Sequence, residues 1–289
     1  MNALKKKRGN GVRMLSARRR IKFQNGFTEV DRTADPQSFV RYLDQAYSAK
    51  EVQATKARTF EILDVKNGEH MLDVGCGTGS DVFALARMVG STGRVVGVDS
   101  SRAMINEARR RAKGHNLPVD FYVCDAHRLH FDDNTFDGCH AERTLEYVKN
   151  PQQMLSEMTR VLKSGGRMIV IEPDWETLVI DTGSQAVTRM MVNIIRQSVA
   201  NSGMGHLLPG LFKDLGLQDI VVGAAVLVRD DFDLADHAWR MRPAVEVPRD
   251  ADAISVGQAT RLISHFEKAS AAGRFFAACV GFGVVGRKP

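Results

Sequence analysis

The stretch LDVGCGTG, residues 72–79, decides the fold that we predict for this chain. Apolar residues lead up to it, three glycines stand at alternate positions within it, and a largely apolar helical segment begins at Asp81. Glycine lets the backbone turn tightly and approach a ligand closely. The stretch therefore predicts a strand, a ligand-binding turn and a helix.

Outward from this turn, short apolar runs alternate with helical patterns from about residue 60 to 175. We expect five strands, at residues 71–74, 95–98, 119–123, 136–139 and 167–171. Strands that alternate with helices form a parallel sheet covered on both faces. Two later apolar segments, 219–228 and 275–285, complete the sheet. The predicted fold class is α/β: a doubly wound, mostly parallel, seven-stranded Rossmann-like sheet with an antiparallel last strand and an added helical cover.

The chain divides into four expected parts. These are a basic leader (1–30), an N-terminal helical cover (31–63), an α/β core that binds the cofactor (64–175), and a sheet completion with inserted substrate-cover helices (176–289). Helices are expected at 81–89, from residue 101, from Pro151, and, in the last part, near 233–243 and 252–271, with a short piece after Pro209. The two cover regions are rich in Met and aromatic residues, which favours an apolar, adaptable pocket. We expect this cover to close over bound ligands.

Composition narrows the class of protein. The 289 residues are 44% hydrophobic and 26% charged, as in an ordinary soluble globular enzyme. The longest uncharged stretch near the C-terminus, residues 275–286, is too short for the roughly 20 residues of a membrane-spanning helix. The first residues lack the apolar segment of a secretory signal, so we expect a cytoplasmic protein. The four cysteines show no CxxC pairing, and neither a disulfide scaffold nor a metal site is expected.

The net charge of +6 is unevenly distributed. Residues 1–25 hold nine Lys or Arg and no acid, whereas the remainder holds 31 basic and 34 acidic residues, a net charge of −3. A basic leader could contact nucleic acid or an anionic membrane surface, or be a solvated tail. The acidic body argues against a long phosphate-tracking surface, so nucleic acid is not expected as a partner. A homodimer is compatible with the sequence.

Three acids follow successive predicted strands. Asp73 lies just before the first glycine, Asp99 ends the second strand, and Asp125 follows the third. Any one of them could be a helix N-cap, a position that Asp favours. Three together, at the carboxyl edge where open α/β sheets bind ligands, favour a ligand with amines, hydroxyls and a positive centre rather than a diphosphate.

These motifs resemble those of class I S-adenosylmethionine-dependent methyltransferases, most closely the group of ubiquinone and menaquinone biosynthesis methyltransferases. The resemblance rests on residues 72–79, 98–101 with Met104, 124–126 and 161–167. It implies S-adenosylmethionine as the cofactor and S-adenosylhomocysteine as its product. By resemblance, the methionine part is held by Asp73 and the glycine loop and bordered by Ala141, the ribose by Asp99, and the adenine by Met104, Asp125 and Ala126. The complete set of expected cofactor residues is Asp73, Gly75, Cys76, Gly77, Asp99, Ser100, Met104, Asp125, Ala126 and Ala141.

The sequence says less about the residues that bind the methyl acceptor than about those that bind the cofactor. A base is needed only if the nucleophile arrives protonated, and our catalytic candidates are His140, Glu142 and Glu172. Members of the group often carry a histidine where this chain has Tyr147, so that histidine's role is not transferred. We expect a small, largely apolar acceptor: an aromatic, quinone-like or natural-product metabolite, in secondary metabolism.

Two other functions stay open. One is a nucleic-acid methyltransferase recruited by the leader, although residues 141–144, AERT, lack the motif that binds a flipped base. The other is a protein that binds S-adenosylmethionine without transferring its methyl group, because fold does not fix function.

Overall fold

The computed structural model describes residues 25–48, 50–250 and 254–289. Most of the basic leader therefore lies outside the described residues. Its last part does not behave as a tail: Asn25–Thr28 and Val30–Arg32 form 3-10 turns, and Val30 is buried. The N-terminal cover thus begins before residue 31, because Val30 packs in a small apolar cluster with Val40 and Met104.

Seven strands form one sheet, and their carboxyl ends define the functional edge. The strands are β1 (His70–Val74), β2 (Arg94–Asp99), β3 (Val119–Val123), β4 (Phe136–Glu142), β5 (Leu162–Ile180), β6 (Gln218–Arg229) and β7 (Ala277–Arg287). Their spatial order is β3-β2-β1-β4-β5-β7-β6. The pairs among β1 to β5 are parallel, and β7 is antiparallel to both of its neighbours. The predicted Rossmann-like architecture with an antiparallel last strand is confirmed.

The described residues also form ten α-helices. They are α1 (Gln37–Ser48), α2 (Lys50–Leu63), α3 (Ser80–Val89), α4 (Arg102–Ala112), α5 (Pro151–Val161), α6 (Gln185–Ser198), α7 (Met204–Asp214), α8 (Phe232–Trp239), α9 (Met241–Asp250) and α10 (Val256–Ala271). No described helix combines the length and apolar character needed to cross a membrane.

Buried apolar clusters line both faces of the sheet. Residues of α5 and α7 pack on one face, and residues of α2, α3 and α4 pack on the other. A third cluster joins α6, α8, α9 and α10 to the far end of β5 and to β7. Packing on the two faces of the sheet thus fixes the positions of the strand ends. The third cluster forms the core of the helical cover beyond them.

Three elements differ from expectation. Strand β5 was expected to end at residue 171 but continues to Ile180, because β7 supplies antiparallel partners up to the pair Ile180–Ala277. It therefore crosses residue 175, where we had placed a boundary. Helix α7 begins before Pro209 rather than after it. The helix expected near 233–243 is divided at Arg240, whose φ is +56°: α8 ends at Trp239, and α9, which was not expected, begins at Met241.

Candidate active site

The glycine loop takes a conformation that only glycine adopts easily. Gly75, Gly77 and Gly79 all have positive φ, at 80°, 52° and 86°. A Cβ atom on Gly75 would lie 2.2 Å from Thr144 Oγ1, so a side chain there would displace the loop after β4. The amides of Gly75 and Cys76 donate to Val98 O of β2, at 2.8 and 3.0 Å. The loop is therefore held as a fixed backbone cradle at the carboxyl edge of the sheet.

Asp73 offers an unsatisfied acceptor beside this loop. Its carboxylate is buried, and Oδ1 pairs with His140 Nδ1 at 2.8 Å. Among the described residues, neither its second oxygen, Oδ2, nor His140 Nε2 has a hydrogen-bond partner. A buried carboxylate oxygen without a partner is costly, and a ligand ammonium would satisfy it. The residues present thus fit the amino group of a bound methionine moiety.

Asp99 lies at the end of β2 with both oxygens already engaged. Oδ2 accepts from Gly77 N at 3.0 Å and Oδ1 from Ser101 N at 2.8 Å. Burial, with the Asp73 and Asp31 carboxylates nearby, raises the pKa of Asp99 in spite of these two amide donors. Each carboxylate oxygen keeps a further lone pair. Asp99 can therefore accept from ribose hydroxyls while it braces the glycine loop.

The other expected cofactor residues lie around the same edge in different environments. Met104 is buried beneath Val30 and Val40. Asp125 is exposed and bonded to His127, and Ala126 is half-buried. Ser100 is exposed, whereas the side chains of Cys76 and Ala141 are buried in the core, so these two can reach a ligand only through their backbone.

Two of the catalytic candidates, His140 and Glu172, lie in the protein interior and contact other protein groups. His140 is fully buried, paired with Asp73 and packed against Phe60. Glu172 is also fully buried and accepts the amides of Thr144 and Leu145, at 2.8 and 2.7 Å. Neither residue lines the pocket described below, and a role as general base stays a prediction for both.

Glu142, the third candidate, belongs to an ion-pair cluster that sequence reasoning missed. Lys56 of α2 lies 2.6 Å from Glu142 Oε2 and 2.7 Å from Asp81 Oδ2. Burial lowers the pKa of Lys56, but the two carboxylates outweigh it and raise that pKa. Tyr47 covers the ammonium at 4.5 Å from the ring centre. A lysine within an amphipathic helix gives no sequence signal for this role.

Asp73, Asp81 and His140 each present one ligand atom within 4.8 Å of the others. A metal ion could use this set only by displacing Lys56, whose ammonium contacts both oxygens of Asp81, at 2.9 and 2.7 Å. The geometry therefore favours an organic cation at Asp73.

A second missed feature is the anchoring of α4 by Asp31. Its carboxylate accepts from Ser101 Oγ at 2.7 Å and from the amides of Arg102 and Ala103 at 2.8 and 3.0 Å. These are free donors at a helix N-terminus, where a carboxylate is stabilising. Asp31 thereby fixes the N-terminal cover to the helix that follows Asp99.

A small pocket opens beside the loop after β4. It encloses about 110 Å³, and half of its eight lining residues are aromatic: Phe27, Ser38, Phe39, Tyr42, Arg143, Tyr147, Ala238 and Arg240. Both cover regions contribute to it, since Tyr42 donates to Ala238 O at 3.2 Å and stacks on His237 at 4.8 Å. Leu43 and Thr144, the chain neighbours of Tyr42 and Arg143, lie so close to the glycine loop that a Cβ atom on Gly77 or Gly75 would meet them at 3.1 or 2.2 Å. The pocket thus borders the Asp73 crevice.

Trp175 lies on β5 but is not among the residues that line this pocket. Its Nε1 donates to Glu146 Oε2 at 2.7 Å, and the ring is buried. Glu146 also lies 3.3 Å from Arg143 Nε. Trp175 therefore holds the loop after β4 from the side of the core, through its hydrogen bond to Glu146.

Comparison with known proteins agrees with this geometry. A family model described as a methyltransferase domain matches residues 65–209, half of the chain. An uncharacterized 37.1 kDa protein in transposon TN4556 of Streptomyces fradiae is 35% identical over 248 residues, covering 85% of this chain and 70% of that protein. A demethylmenaquinone methyltransferase of Bacillus cereus is 36% identical over 138 residues, which cover 47% of this chain and 58% of the relative.

Solved structures share the fold at low sequence identity. The YcgJ protein from Bacillus subtilis superposes with a TM-score of 0.57 at 18% identity, covering 82% of this chain and 98% of that one. Phosphoethanolamine N-methyltransferase 2 of Haemonchus contortus, solved with S-adenosylhomocysteine, gives 0.59 at 19% identity, with 90% and 59% covered. The family match, the sheet order and the loop beside Asp73 together show that this chain belongs to the class I S-adenosylmethionine-dependent methyltransferases.

Proposed function

We propose that this enzyme transfers the methyl group of S-adenosylmethionine to a small aromatic or quinone-like metabolite bound in the pocket beside Arg143. The observation that carries the proposal is the position of this aromatic pocket next to the glycine loop. The similarity to demethylmenaquinone methyltransferases supports an acceptor of this kind.

In this proposal, Asp73 Oδ2 accepts from the ammonium of the cofactor and Asp99 from its ribose hydroxyls. The cofactor supplies a methyl group activated by its sulfonium. The eight lining residues of the pocket include no Asp, Glu or His. Alignment of the acceptor, worth up to roughly 7–11 kcal/mol in favourable cases, is therefore the main contribution we assign to the protein.

The tyrosines of the pocket act as walls rather than bases. Burial and the neighbouring Glu146 carboxylate raise the pKa of Tyr147, so its phenol stays protonated at neutral pH. The rings of Phe27 and Tyr147 lie 5.5 Å apart, and Phe27 also contacts Phe39 and Tyr42. Such packing orients a planar acceptor and excludes water.

The test is a mass-spectrometric search for products 14 Da heavier in a panel of phenols, quinols and aromatic acids incubated with enzyme and S-adenosylmethionine. We expect a methylated product whose KM rises in Tyr147→Ala, because that variant loses one wall of the pocket. Tyr122→Ala is the matched control, since Tyr122 is exposed on β3 and lies outside the lining. An equal effect of both substitutions on KM would contradict the assignment of the pocket.

A further inference from the structure

The backbone singles out two arginines of the acceptor pocket. Among the described residues, five that are not glycine have positive φ: Asp64, Asn134, Arg143, Asp219 and Arg240. Asp and Asn tolerate this region well, whereas other side chains seldom occupy it. The two exceptions are arginines, and both line the same pocket. Backbone strain of this kind tends to lie at functional sites.

The guanidinium of Arg143 has N–H donors that no described group of the protein accepts. Its two side-chain hydrogen bonds are long, 3.3 Å to Glu146 Oε1 and 3.4 Å to Tyr42 Oη, although a guanidinium carries five N–H donors. The side chain remains 34% exposed. Arg143 can therefore offer donors to a ligand in the pocket.

Few carboxylates lie near the two arginines of the pocket. The eight described lining residues include no carboxylate. Glu146 lies behind Arg143, bonded to Trp175, and burial raises the pKa of its carboxyl group. Arg240 is exposed and its side chain has no hydrogen bond or ion pair with any described residue. The pocket thus combines aromatic rings with two arginines: Arg143, whose carboxylate partner is Glu146 at 3.3 Å, and Arg240, whose side chain has no described partner.

We propose that the methyl acceptor carries an acidic group, such as a carboxylate on its aromatic ring, and that Arg143 binds this group with Arg240 at the rim. The inference rests on the proposed function. A planar guanidinium matches a carboxylate in a two-point contact that a neutral isostere cannot reproduce.

The experiment compares probes that differ only in charge. Binding of 2-, 3- and 4-hydroxybenzoate and of the three corresponding hydroxybenzamides is measured by calorimetry, with S-adenosylhomocysteine present. The proteins are the wild type, Arg143→Met, Arg143→Lys and Arg240→Met. Arg274→Met is the control, because Arg274 is an exposed arginine outside the pocket.

For at least one pair, we expect the benzoate to bind the wild type about tenfold more tightly than the amide, a difference of about 1.4 kcal/mol. Arg143→Met should remove the preference, Arg143→Lys should keep part of it, and Arg240→Met should reduce it. The control should leave it intact. Equal binding of the acid and the amide would overturn the proposal that the acceptor is acidic. It would not contradict the proposal that the acceptor is aromatic. If neither binds while S-adenosylhomocysteine does, the pocket is not the acceptor site and both proposals fail.

Discussion

Lys56 Nζ, on helix α2, lies 2.6 Å from Glu142 Oε2 at the end of β4. The same ammonium lies 2.7 Å from Asp81 Oδ2 in α3, and all three side chains are largely buried. One lysine of the N-terminal cover is thus shared by two carboxylates that flank the cofactor loop. The contact joins the cover to the catalytic edge of the sheet by charge rather than by apolar packing alone.

Removing the lysine should therefore be costly. Lys56→Met leaves two buried carboxylates unpaired, and we expect a loss of about 3–5 kcal/mol in the free energy of unfolding. Lys66→Met removes an exposed lysine paired with Asp64 and should cost about 0–1 kcal/mol. Urea denaturation of both variants measures the contrast. Similar losses in the two would show that Lys56 is not an anchor of the cover.

Asp31 should anchor α4 in a pH-dependent way. Burial raises the pKa of Asp31, but hydrogen bonds from Ala103, Ser101 and Arg102 outweigh it and bring the pKa below 3.8. The stability contributed by this carboxylate is present above that ordinary value and is lost as the pH falls through the lowered pKa.

We therefore expect Asp31→Ala to cost about 0.5–2 kcal/mol near neutral pH, the usual range for an N-cap. The difference from wild type should shrink at acid pH. Glu29→Ala serves as the control, since the one contact that the Glu29 carboxylate makes with a described residue is an exposed one, to Arg32. A cost that does not change with pH would argue against the carboxylate as the source of the effect.

Asp99 should make cofactor affinity depend on pH. Because burial raises its pKa, the carboxylate gains a proton at a higher pH than an ordinary aspartate would. The protonated group is a poorer acceptor for ribose hydroxyls, so affinity for S-adenosylhomocysteine should fall as the pH is lowered. Asp99→Asn should weaken binding by about 1.5–3 kcal/mol at neutral pH and flatten this dependence. Calorimetry over a pH series is the measurement, and an unchanged profile in the variant would exclude Asp99.

Glu172 should behave as a structural residue. In Glu172→Gln, a neutral oxygen replaces the carboxylate that accepts hydrogen bonds from the amides of Thr144 and Leu145. These bonds are weaker, so we expect a lower melting temperature. The shape of the pH–rate profile should stay that of the wild type. Loss of one limb of the profile would instead assign Glu172 a proton-transfer role. Glu176→Gln, at an exposed position on the same strand, is the control.

Sequence alone was sufficient for the sheet and for the placement of the three acids. Alternating apolar runs and glycines at 75, 77 and 79 are local signals, and the order of β3, β2 and β1 follows from right-handed connections. Asp73 and Asp99 therefore lie where they were expected. Their roles toward the cofactor remain predictions.

The missed features depend on contacts between distant parts of the chain. Lys56 meets Glu142 across 86 positions, and Asp31 meets Ser101 across 70. The length of β5 is set by its pairing with β7, about a hundred residues later in the chain. His140 and Glu172 suited catalysis by residue type and position, but their side chains are turned to partners within the core. No periodicity or spacing reveals such partners.

The central claim is that Asp73 Oδ2, which lacks a partner among the described residues, receives the ammonium of the cofactor. The direct measurement is calorimetric binding of S-adenosylhomocysteine and of methylthioadenosine, which lacks the amino-acid part, to wild type and Asp73→Asn. We predict that the variant binds S-adenosylhomocysteine at least about tenfold more weakly but methylthioadenosine within about twofold of wild type, where tenfold equals about 1.4 kcal/mol. Equal losses for both ligands, or no loss for either, would contradict the claim.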